Sequence, residues 1–381
     1  MRKVYLDANA TTRVHPEGLQ EMMPFLEEMF GNPSSVHSFG REAQKYIDIA
    51  RSRVAALIGA SSKDEIIFTS GGTESNNHAI KILSDELKSK GKHIITTSVE
   101  HKSVLESCKW LEKNGFDVTY LDVGEKGIID PIDLENSIRE DTVLVTVMAA
   151  NNETGAIMPI NEIGRITSSK GVLFHTDAVQ IAGKLPFNVS DINAGLVSLS
   201  GHKLNGPKGT GALYVKKGIE IGRLIDGGSQ ELARRGGTQN VPGIIGFGKA
   251  CAISALKMSD IAEKVKPLRD RLHKFIDSSI DGAVLNGDID IMLPNTLNIS
   301  FQGISGKSLI MSLDLEGIAV SSGSACQAGS AEPSHVLKAM GVGTERLSGA
   351  IRFSLDRFNT SEDIDLVIEK LPIVIDRIKH A

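Results

Sequence analysis

The region from Glu65 to Val215 constrains the fold more than any other part of the chain. It contains short runs rich in Val, Ile, Leu and Thr that alternate with helix-like segments: EIIFTS, HIITTS, DVTYLDV, TVLVTVMAA, VLFHTDAV, LVSLS and GALYVKK. Continuously apolar strands separated by amphipathic helices are typical of a mostly parallel sheet that is covered on both faces. The sequence therefore predicts an α/β architecture.

The pattern changes after about Gly243. A long helical stretch, from IIGFGKACAISALKM through KPLRDRLHKFIDSSI, leads into two strand-like runs, NTLNISFQG and AIRFSLDRF, and the chain closes with a helix. A second set of strands and helices indicates a second α/β domain. We predict a large domain over residues 15–260 and a smaller one that combines residues 1–14 with 261–381, joined through the long helix.

Charge, hydropathy and cysteine content argue against several classes of protein. A formal net charge of −5 provides no general positive field for nucleic acid. No apolar run approaches the roughly 20 residues of a membrane span, and MRKVYLDANATT lacks the apolar segment of a signal peptide. The cysteines fit neither a disulfide framework nor a paired metal motif. We therefore expect a cytoplasmic protein with neither a nucleic acid nor a membrane partner.

Lys203 occupies a turn of small residues, SGHKLNGPKG, between two strand-like runs. A single Lys in a turn is most often a solvated surface residue. Here Ser200 and His202 accompany it, and a Lys held beside an anion site is suited to act as an imine-forming nucleophile. Upstream, TSGGTESNN marks a strand-to-helix junction. Backbone N–H groups at such a helix start can cradle a phosphate, or the glycines can simply form a tight turn.

Asp177 lies in HTDAVQ, at the end of a strand that is predicted to be central in the sheet. A carboxylate there is costly to bury without a cationic or hydrogen-bonding partner, although the residue could equally serve as a helix N-cap. The protonated pyridine nitrogen of pyridoxal 5′-phosphate (PLP) is such a partner, and Asp takes this role in PLP sites that contain a Schiff-base Lys. The order of phosphate cradle, Asp and Lys therefore favours a PLP site.

Ten stretches along the chain carry a resemblance to a known family. In order they are LDANATT, FGNPSSVHSFG, TSGGTESNN, SVEHKSVLE, NNETGAI, HTDAVQ, SGHKLNGPKG, RRGGTQNVPG, SSGSACQAG and AIRFSL. Over essentially its full length the chain resembles the class V, fold-type I PLP-dependent enzymes, and most closely the cysteine desulfurases of the NifS/IscS type. The resemblance implies a large domain with a mostly parallel sheet, a smaller C-terminal α/β domain and PLP as the cofactor.

The resemblance also implies roles for residues around the PLP ring. Lys203 would bind the cofactor covalently and later move protons, and Asp177 would pair with the pyridinium nitrogen. His101, in VEHK, would stack on the ring and assist proton transfer. Gln180 and Asn152 would form hydrogen bonds around the ring hydroxyl and on the substrate side of the cofactor.

Further residues are assigned by the resemblance to the phosphate and to the substrate. The phosphate contacts would be Gly72, Thr73, Ser200 and His202. Thr238, in RRGGTQN, would reach the phosphate of the neighbouring subunit, so the active site would require a homodimer. Arg352, with Asn32, would hold the substrate carboxylate, for which a planar guanidinium is well suited.

Cys326 decides which reaction the resemblance implies. PLP does not accept sulfur, so a thiolate is required, and Cys326 lies among Gly, Ser and Ala in a predicted loop. Cys108 and Cys251 lie in apolar helical patterns and are predicted to be core residues. L-cysteine would be converted to L-alanine, and its sulfur would remain on Cys326 as a persulfide for an iron–sulfur scaffold protein or a tRNA-thiolation protein.

Several features qualify this assignment. The short spacing from Cys326 to His335 favours the NifS/IscS group, whereas Gln327 and Asp356 depart from the usual family pattern. The chain ends at VIDRIKHA, without the longer tail that some IscS proteins use to dock a scaffold, which puts scaffold docking in doubt.

Other functions remain open at this point. The alternatives are a lyase or aminotransferase in which Cys326 is incidental, and a noncatalytic sulfur-relay or assembly component. No intrinsic metal site is expected, because the histidines lack HxxxH and HExxH spacing. Transient iron–sulfur cluster assembly at Cys326, with ligands from a partner, is a hypothesis.

Overall fold

A computed structural model describes residues 2–322 and 333–380 of the chain. The strands are β1 (Val4–Tyr5), β2 (Ile66–Thr69), β3 (His93–Thr97), β4 (Asp117–Leu121), β5 (Thr142–Thr146), β6 (Leu173–Asp177), β7 (Leu196–Ser200), β8 (Gly211–Val215), β9 (Ala283–Leu285), β10 (Thr296–Phe301), β11 (Ile318–Ala319) and β12 (Ala350–Ser354). The helices are α1 (Pro16–Met22), α2 (Pro24–Glu27), α3 (Ser38–Leu57), α4 (Gly72–Asn77), α5 (Leu83–Leu87), α6 (Lys102–Lys113), α7 (Pro131–Ser137), α8 (Ile160–Ser169), α9 (Gln230–Ala233), α10 (Val241–Leu256), α11 (Met258–Asp260), α12 (Lys266–Ser279), α13 (Gly306–Leu315), α14 (His335–Ala339), α15 (Thr344–Ser348) and α16 (Ser361–Lys379).

The main sheet has seven strands in the order β2-β8-β7-β6-β5-β3-β4. All neighbours are parallel except β8, which is antiparallel to both β2 and β7. Every residue of β5 (TVLVT) and β7 (LVSLS) is buried, as expected for strands covered on both faces. Each predicted strand run forms one of these strands, which confirms the mostly parallel α/β sheet.

Two apolar cores cover the two faces of this sheet. Neighbouring residues of a strand point to opposite faces. Accordingly, Phe68 packs into a core with residues of α3 and α10, whereas Ile67 packs into a core with residues of α5 and α6. The covered faces leave the carboxyl edge of the parallel strands, where Asp177 ends β6 and Ser200 ends β7, as the place where loops converge.

A third core takes its residues from both ends of the chain. Val4 and Leu6 pack with apolar residues of α12, α13, α16, β10 and β12. Strand β10 lies between β9 and β12 and is antiparallel to both, while β1 pairs in parallel with β11. The N-terminal strand therefore packs with the C-terminal third of the chain. The domain boundaries at residues 14/15 and 260/261 stay a prediction.

The prediction of one long helix joining the two parts is wrong. Helix α10 ends at Leu256, and the helical segment that follows, α11 through α12, is bent by 70° relative to it. The backbone of Lys257, with φ −117° and ψ 25°, leaves the helical region, and a π-helical turn then precedes Pro267 at the start of α12. Helix-forming residues continue across this break, so the sequence pattern conceals it.

Within residues 2–322 and 333–380, no single helix is long and apolar enough to cross a lipid bilayer. Helix α10 and the bent segment that follows it would meet that criterion only as a pair, by length and composition.

Candidate active site

A cavity of about 350 Å³ lies at the carboxyl ends of β6 and β7. Most of the predicted site residues line it: Gly72, Thr73, His101, Asn152, Asp177, Gln180, Ser200, His202, Lys203 and Arg352. They come from distant parts of the sequence and meet here because parallel strands end at the same edge of the sheet. Two other predicted residues, Asn32 and Thr238, do not line the cavity. Cys326 lies outside the described residues.

Asp177 is buried and held in place by hydrogen bonds. Its Oδ2 accepts from Nδ2 of Asn76 at 2.7 Å, and its Oδ1 accepts from the backbone N–H of Val179 at 3.0 Å. The second N–H of the Asn76 amide donates to Oγ of Ser103 at 2.8 Å. The carboxylate is therefore fixed at the cavity wall by neutral donors, which is the arrangement expected for a carboxylate that receives a cationic ligand.

His101 is connected to Asp177 through the same set of hydrogen bonds. Its Nδ1 accepts from the backbone N–H of Ser103 at 3.2 Å and lies 2.8 Å from the Ser103 hydroxyl. Because Nδ1 is an acceptor, the ring proton of the neutral imidazole lies on Nε2. Burial lowers the pKa of His101, an effect that Asp177 opposes and Lys203 reinforces. A neutral imidazole with a fixed tautomer therefore lines the cavity.

Lys203 lies in a single 3-10 turn, Gly201–Lys203, directly after β7. Its Nζ donates to the backbone carbonyl oxygens of Asn9 and Ala10, at 2.5 and 2.8 Å. These carbonyls belong to the N-terminal segment, which lies nearly 200 residues away in the sequence. The predicted turn between two strands is confirmed, and the two carbonyls set the position of the amine at the cavity wall.

One side of the cavity is suited to an anion. A Cβ at Gly72 would lie 2.7 Å from Cγ2 of Val179, so a larger residue would displace Val179 in the loop after β6. The side-chain hydroxyls of Thr73 and Ser200 make no hydrogen bond to any residue within 2–322 or 333–380. Burial, reinforced by the neighbouring lysines, lowers the pKa of His202 to about 4, so its imidazole is neutral at pH 7. Donors without acceptors beside a helix start fit a phosphate group.

Arg352 brings a buried guanidinium to the cavity from β12. It is 1% exposed, and its two terminal nitrogens donate to Oδ1 of Asp7 at 2.6 Å and to the backbone oxygen of Asn152 at 2.9 Å. Nearby, burial raises the pKa of Glu153, whose carboxylate also accepts from the hydroxyl of Ser334 at 2.5 Å. Ser334, His335 and Arg352 oppose this rise, so burial disfavours the carboxylate form of Glu153 while its polar and cationic neighbours favour it.

Comparison with known proteins decides the family. Residues 4–367 match the family described as aminotransferase class V. The chain belongs to this family. It is 50% identical over 378 residues to the cysteine desulfurase IscS of Dictyoglomus turgidum, an alignment that covers 99% of this chain and 96% of that protein. It is 47% identical over 379 residues to the cysteine desulfurase IscS of Methanosarcina thermophila, covering 100% and 93%.

Solved structures agree with the class V assignment. A NifS-like protein superposes with a TM-score of 0.93 at 42% identity, and the alignment covers 99% of this chain and 100% of that one. The predicted class V fold, with its mostly parallel central sheet, is therefore confirmed. Enzymes of this family depend on PLP, and the buried carboxylate, the lysine amine and the unused donors of the cavity fit that cofactor.

Two residues predicted for the class V site lie elsewhere in the single chain. The side chain of Asn32 is exposed, and its Oδ1 accepts from the backbone N–H of Ser34 at 3.0 Å, so it closes its own turn and does not accompany Arg352. Thr238 is exposed as well. Their roles at the substrate and at a phosphate stay predictions.

The segment that carries Thr238 is anchored by a buried ion pair. Nη1 of Arg51 lies 2.5 Å from Oε2 of Glu231, and the two side chains are 7% and 1% exposed. Burial alone would raise the pKa of Glu231, but the hydrogen bonds and charge of Arg51 hold it below its ordinary value. Glu231 and the two residues after it have φ between 51° and 62°, a left-handed conformation that is costly for residues with a side chain. The base of the segment is thus fixed, while Thr238 itself is exposed.

The two predicted core cysteines are confirmed. Cys108 and Cys251 are both 0% exposed, and burial raises the pKa of each thiol. A buried thiol with a raised pKa forms little thiolate, so neither residue is suited to attack sulfur. The nucleophile predicted for this class V enzyme remains Cys326.

Sequence reasoning missed four polar residues that hold the site: Asp7, Asn9, Asn76 and Lys184. The first three lie in LDANATT and TSGGTESNN, motifs that had been recognised, so their place within a motif was the available signal. Lys184 had no such signal, because a Lys after a predicted strand is ordinarily a surface residue.

Proposed function

We propose that this protein is a PLP-dependent cysteine desulfurase, which converts L-cysteine to L-alanine and leaves the sulfur on Cys326 as a persulfide. One observation supports the proposal above all others: Lys203, Asp177 and Arg352 line the same cavity. They supply an amine for an aldehyde, a carboxylate for a pyridinium nitrogen and a guanidinium for a substrate carboxylate. Relatives with the name cysteine desulfurase support the choice of substrate.

Residues at the carboxyl edge of the main sheet would hold the cofactor. Asp177 would accept from the ring nitrogen, and its contacts with Asn76 and Val179 keep it in position. The phosphate would be bound by Gly72, Thr73, Ser200 and His202. Gln180 and Asn152 would bind around the ring hydroxyl and the substrate. Bound PLP would supply an electron sink for the electrons released at the substrate α-carbon.

Lys203 and His101 would handle the protons. Lys203 would hold the PLP aldehyde through its Nζ, and the same Nζ would accept the proton from the substrate α-carbon. The carbonyls of Asn9 and Ala10 then act as the acceptors that keep the resulting ammonium near its place of origin. His101 would stack on the cofactor, and only its Nε2 is left for contacts in the cavity, because Ser103 occupies Nδ1.

Arg352 and Cys326 would act on opposite ends of the substrate. The guanidinium binds the carboxylate of L-cysteine, as planar fork-like donors do. The Cys326 thiolate attacks the substrate sulfur, so an S–S bond forms and the Cβ–S bond breaks, with its electron pair passing to the substrate carbon. Protonation of that carbon gives L-alanine, and the sulfur remains on Cys326 as a persulfide.

The assembly and its partners are part of the same proposal. Thr238 would contribute to the phosphate site of a second subunit, which makes the enzyme a homodimer, and Asn32 would take its substrate contact in that assembly. The persulfide would pass to an iron–sulfur scaffold protein or another sulfur acceptor in the cytoplasm.

The first experiment is an absorbance spectrum of the purified protein, followed by addition of L-cysteine. We expect a visible band of lysine-bound PLP, release of L-alanine and, by mass spectrometry, one added sulfur on Cys326. The matched variant Cys326→Ala should keep the visible band and lose the added sulfur. A protein that stays colourless after addition of PLP would refute the proposal, and a coloured protein that never carries the added sulfur would favour a lyase or aminotransferase.

A further inference from the structure

Lys184 is a buried cation that the proposed reaction leaves without a role. It is 7% exposed, and its Nζ donates to Oε1 of Gln180 at 3.0 Å and to Oδ1 of Asn9 at 3.3 Å. Within residues 2–322 and 333–380, no carboxylate forms an ion pair with it. Burying an ammonium among neutral amides is costly, so a gain elsewhere must offset this arrangement.

The first effect of Lys184 is on the direction of the Gln180 amide. An ammonium group can only donate, so Gln180 must present its oxygen to Lys184. Its Nε2 then donates to the backbone oxygen of Asn9 at 3.1 Å. Gln180 lines the cavity, and the second N–H of its Nε2 is the polar group that it presents there. Gln180 is therefore a hydrogen-bond donor toward the cofactor site as long as Lys184 is protonated.

The second effect is on the acceptor of Lys203. Oδ1 of Asn9 accepts from Lys184 and from Nδ2 of Asn295, at 3.3 and 3.1 Å, and Nδ2 of Asn9 donates to the hydroxyl of Thr296 at 2.9 Å. Both ends of the Asn9 side chain are thus fixed. Its backbone oxygen, which accepts from Lys203, cannot move independently of these contacts.

The charges around Lys184 link it to the reacting amine. A small cavity of about 20 Å³ is lined by Lys184, Lys203, Asp356 and Arg357. Burial lowers the pKa of Lys184 to about 7, Lys203 and Arg352 act in the same direction, and Asp356 opposes them. Interactions between two titrating groups are reciprocal. A charge on Lys184 therefore disfavours a proton on the nitrogen of Lys203.

We propose that Lys184 is a positioning residue for the cofactor site, which orients the Gln180 amide as a donor and holds Asn9 against Lys203. This inference rests on the proposed PLP function. If it is right, loss of the ammonium weakens PLP binding, because the donor from Gln180 is no longer fixed. It also raises the pH at which the visible absorbance of bound PLP titrates, because a cation near Lys203 has been removed.

The experiment compares Lys184→Met with wild-type protein and with Lys208→Met. Lys208 is exposed and lies five residues after Lys203, so its removal is a matched loss of a nearby charge. We measure the PLP dissociation constant of the apoprotein at pH 6, where Lys184 is protonated, and the pH midpoint of the absorbance. For Lys184→Met we expect binding weaker by about tenfold and a midpoint higher by about one pH unit. Lys208→Met should leave both nearly unchanged, and Lys184→Arg should restore most of the binding.

A double-mutant cycle separates positioning from a general structural role. Because Lys184 acts through Gln180, the change Lys184→Met should weaken PLP binding by less than about threefold when Gln180→Ala is already present. Circular dichroism checks folding, and Lys184→Gln, which can still donate, replaces Lys184→Met if the latter is unfolded.

Three results would overturn the inference. The first is a wild-type affinity and midpoint in Lys184→Met or, where Lys184→Gln replaces it, a wild-type midpoint in that uncharged variant. The second is a loss of PLP affinity as large as in the single variant when Lys184→Met is combined with Gln180→Ala. The third, absence of PLP binding by the wild-type protein, would refute the proposed function together with this inference.

Discussion

The wall of the cavity and the segment that carries Thr238 differ in how completely one chain builds them. At the wall, Asp177 and Lys203 are each held by at least two hydrogen bonds from within the chain. The Thr238 segment has a fixed base at Arg51 and Glu231, yet Thr238 itself is exposed and does not line the 350 Å³ cavity. The groups at the wall are therefore preorganised within one chain, whereas a role for Thr238 requires the second subunit of the proposed homodimer.

The largest effect is expected from Lys203→Ala, which removes the amine at the cavity wall. Removal of the amine should abolish covalent retention of PLP and lower the rate of L-alanine formation by at least about 10³-fold, because both attachment and proton transfer are lost. The measurements are the absorbance after dialysis and the rate of L-alanine release. Lys208→Ala is the control, and substantial activity in Lys203→Ala would remove the lysine from the mechanism.

A smaller effect is expected from Asp177→Asn. An amide at this position no longer stabilises a protonated ring nitrogen, so the rate should fall by about 10²-fold while PLP remains bound. Single-turnover absorbance changes and PLP content measure the two parts separately. Loss of PLP without any change in the rate of the remaining holoenzyme would assign Asp177 to binding alone.

Thr238→Ala tests whether the Thr238 segment contributes to the cofactor site of a second subunit. If Thr238 binds the phosphate of a second subunit, PLP affinity should fall by about tenfold, the value of one hydrogen bond to a charged group. The monomer fold should be unaffected, because the side chain is exposed. Titration of the apoprotein with PLP gives the affinity, and circular dichroism gives the fold.

Mixed dimers sharpen this prediction further. In a hybrid of a Lys203→Ala chain and a Thr238→Ala chain, one site keeps both residues and the other loses both, if Thr238 acts across the subunit boundary. Coexpression with two different tags should then yield a hybrid with up to about half the wild-type activity at limiting PLP. A hybrid no better than the Thr238→Ala parent would place Thr238 in its own subunit's site or outside the mechanism.

The smallest effect is expected at His175, on the strand β6 that ends at the cavity. His175 lies on β6 two residues before Asp177, is fully buried between the hydroxyls of Thr146 and Ser198, and burial lowers its pKa to about 3. Between about pH 6.5 and 3 the unfolded state therefore binds a proton that the folded state does not, so stability falls as the pH falls. The contribution is at most about 1.4 kcal/mol per pH unit.

His175→Gln should reduce this pH dependence. Its free energy of unfolding should be lower than that of wild type at pH 7 but fall less steeply between pH 6.5 and 4. Urea unfolding at a series of pH values measures both slopes. Identical slopes would show that His175 does not remain neutral in the folded state.

Much of the fold could be predicted from the sequence because its signals are local. Each strand of the main sheet is a short apolar run, and the Lys203 turn is bounded by two of them, so both followed from pattern alone. These are cases in which neighbours in the sequence determine the structure. The residues that line the cavity come from distant parts of the chain, and they were predicted only through the family resemblance that the motifs carry.

The parts that were missed depend on contacts between distant residues. Lys184 is buried because Asn9, 175 residues away, supplies an acceptor, and Asp7 matters because it pairs with Arg352 across 345 residues. Neither burial nor pairing of this kind leaves a local pattern. The break after α10 was missed for the opposite reason. Here the local pattern is present but misleading, because helix-forming residues continue past Leu256 although the helix ends there.

The pairing of β1 with β11 sets a time order for the synthesis of this enzyme. Asn9 and Ala10, which receive the amine of Lys203, leave the ribosome among the first residues, yet Asn9 contacts Thr296 and Ser354. The main sheet can fold before those partners exist, because domains fold as they emerge. The lysine pocket can close only when nearly all of the chain has been made. Stable cofactor capture is thus among the last events in the maturation of the chain, and prematurely terminated chains are expected to lose the cofactor first.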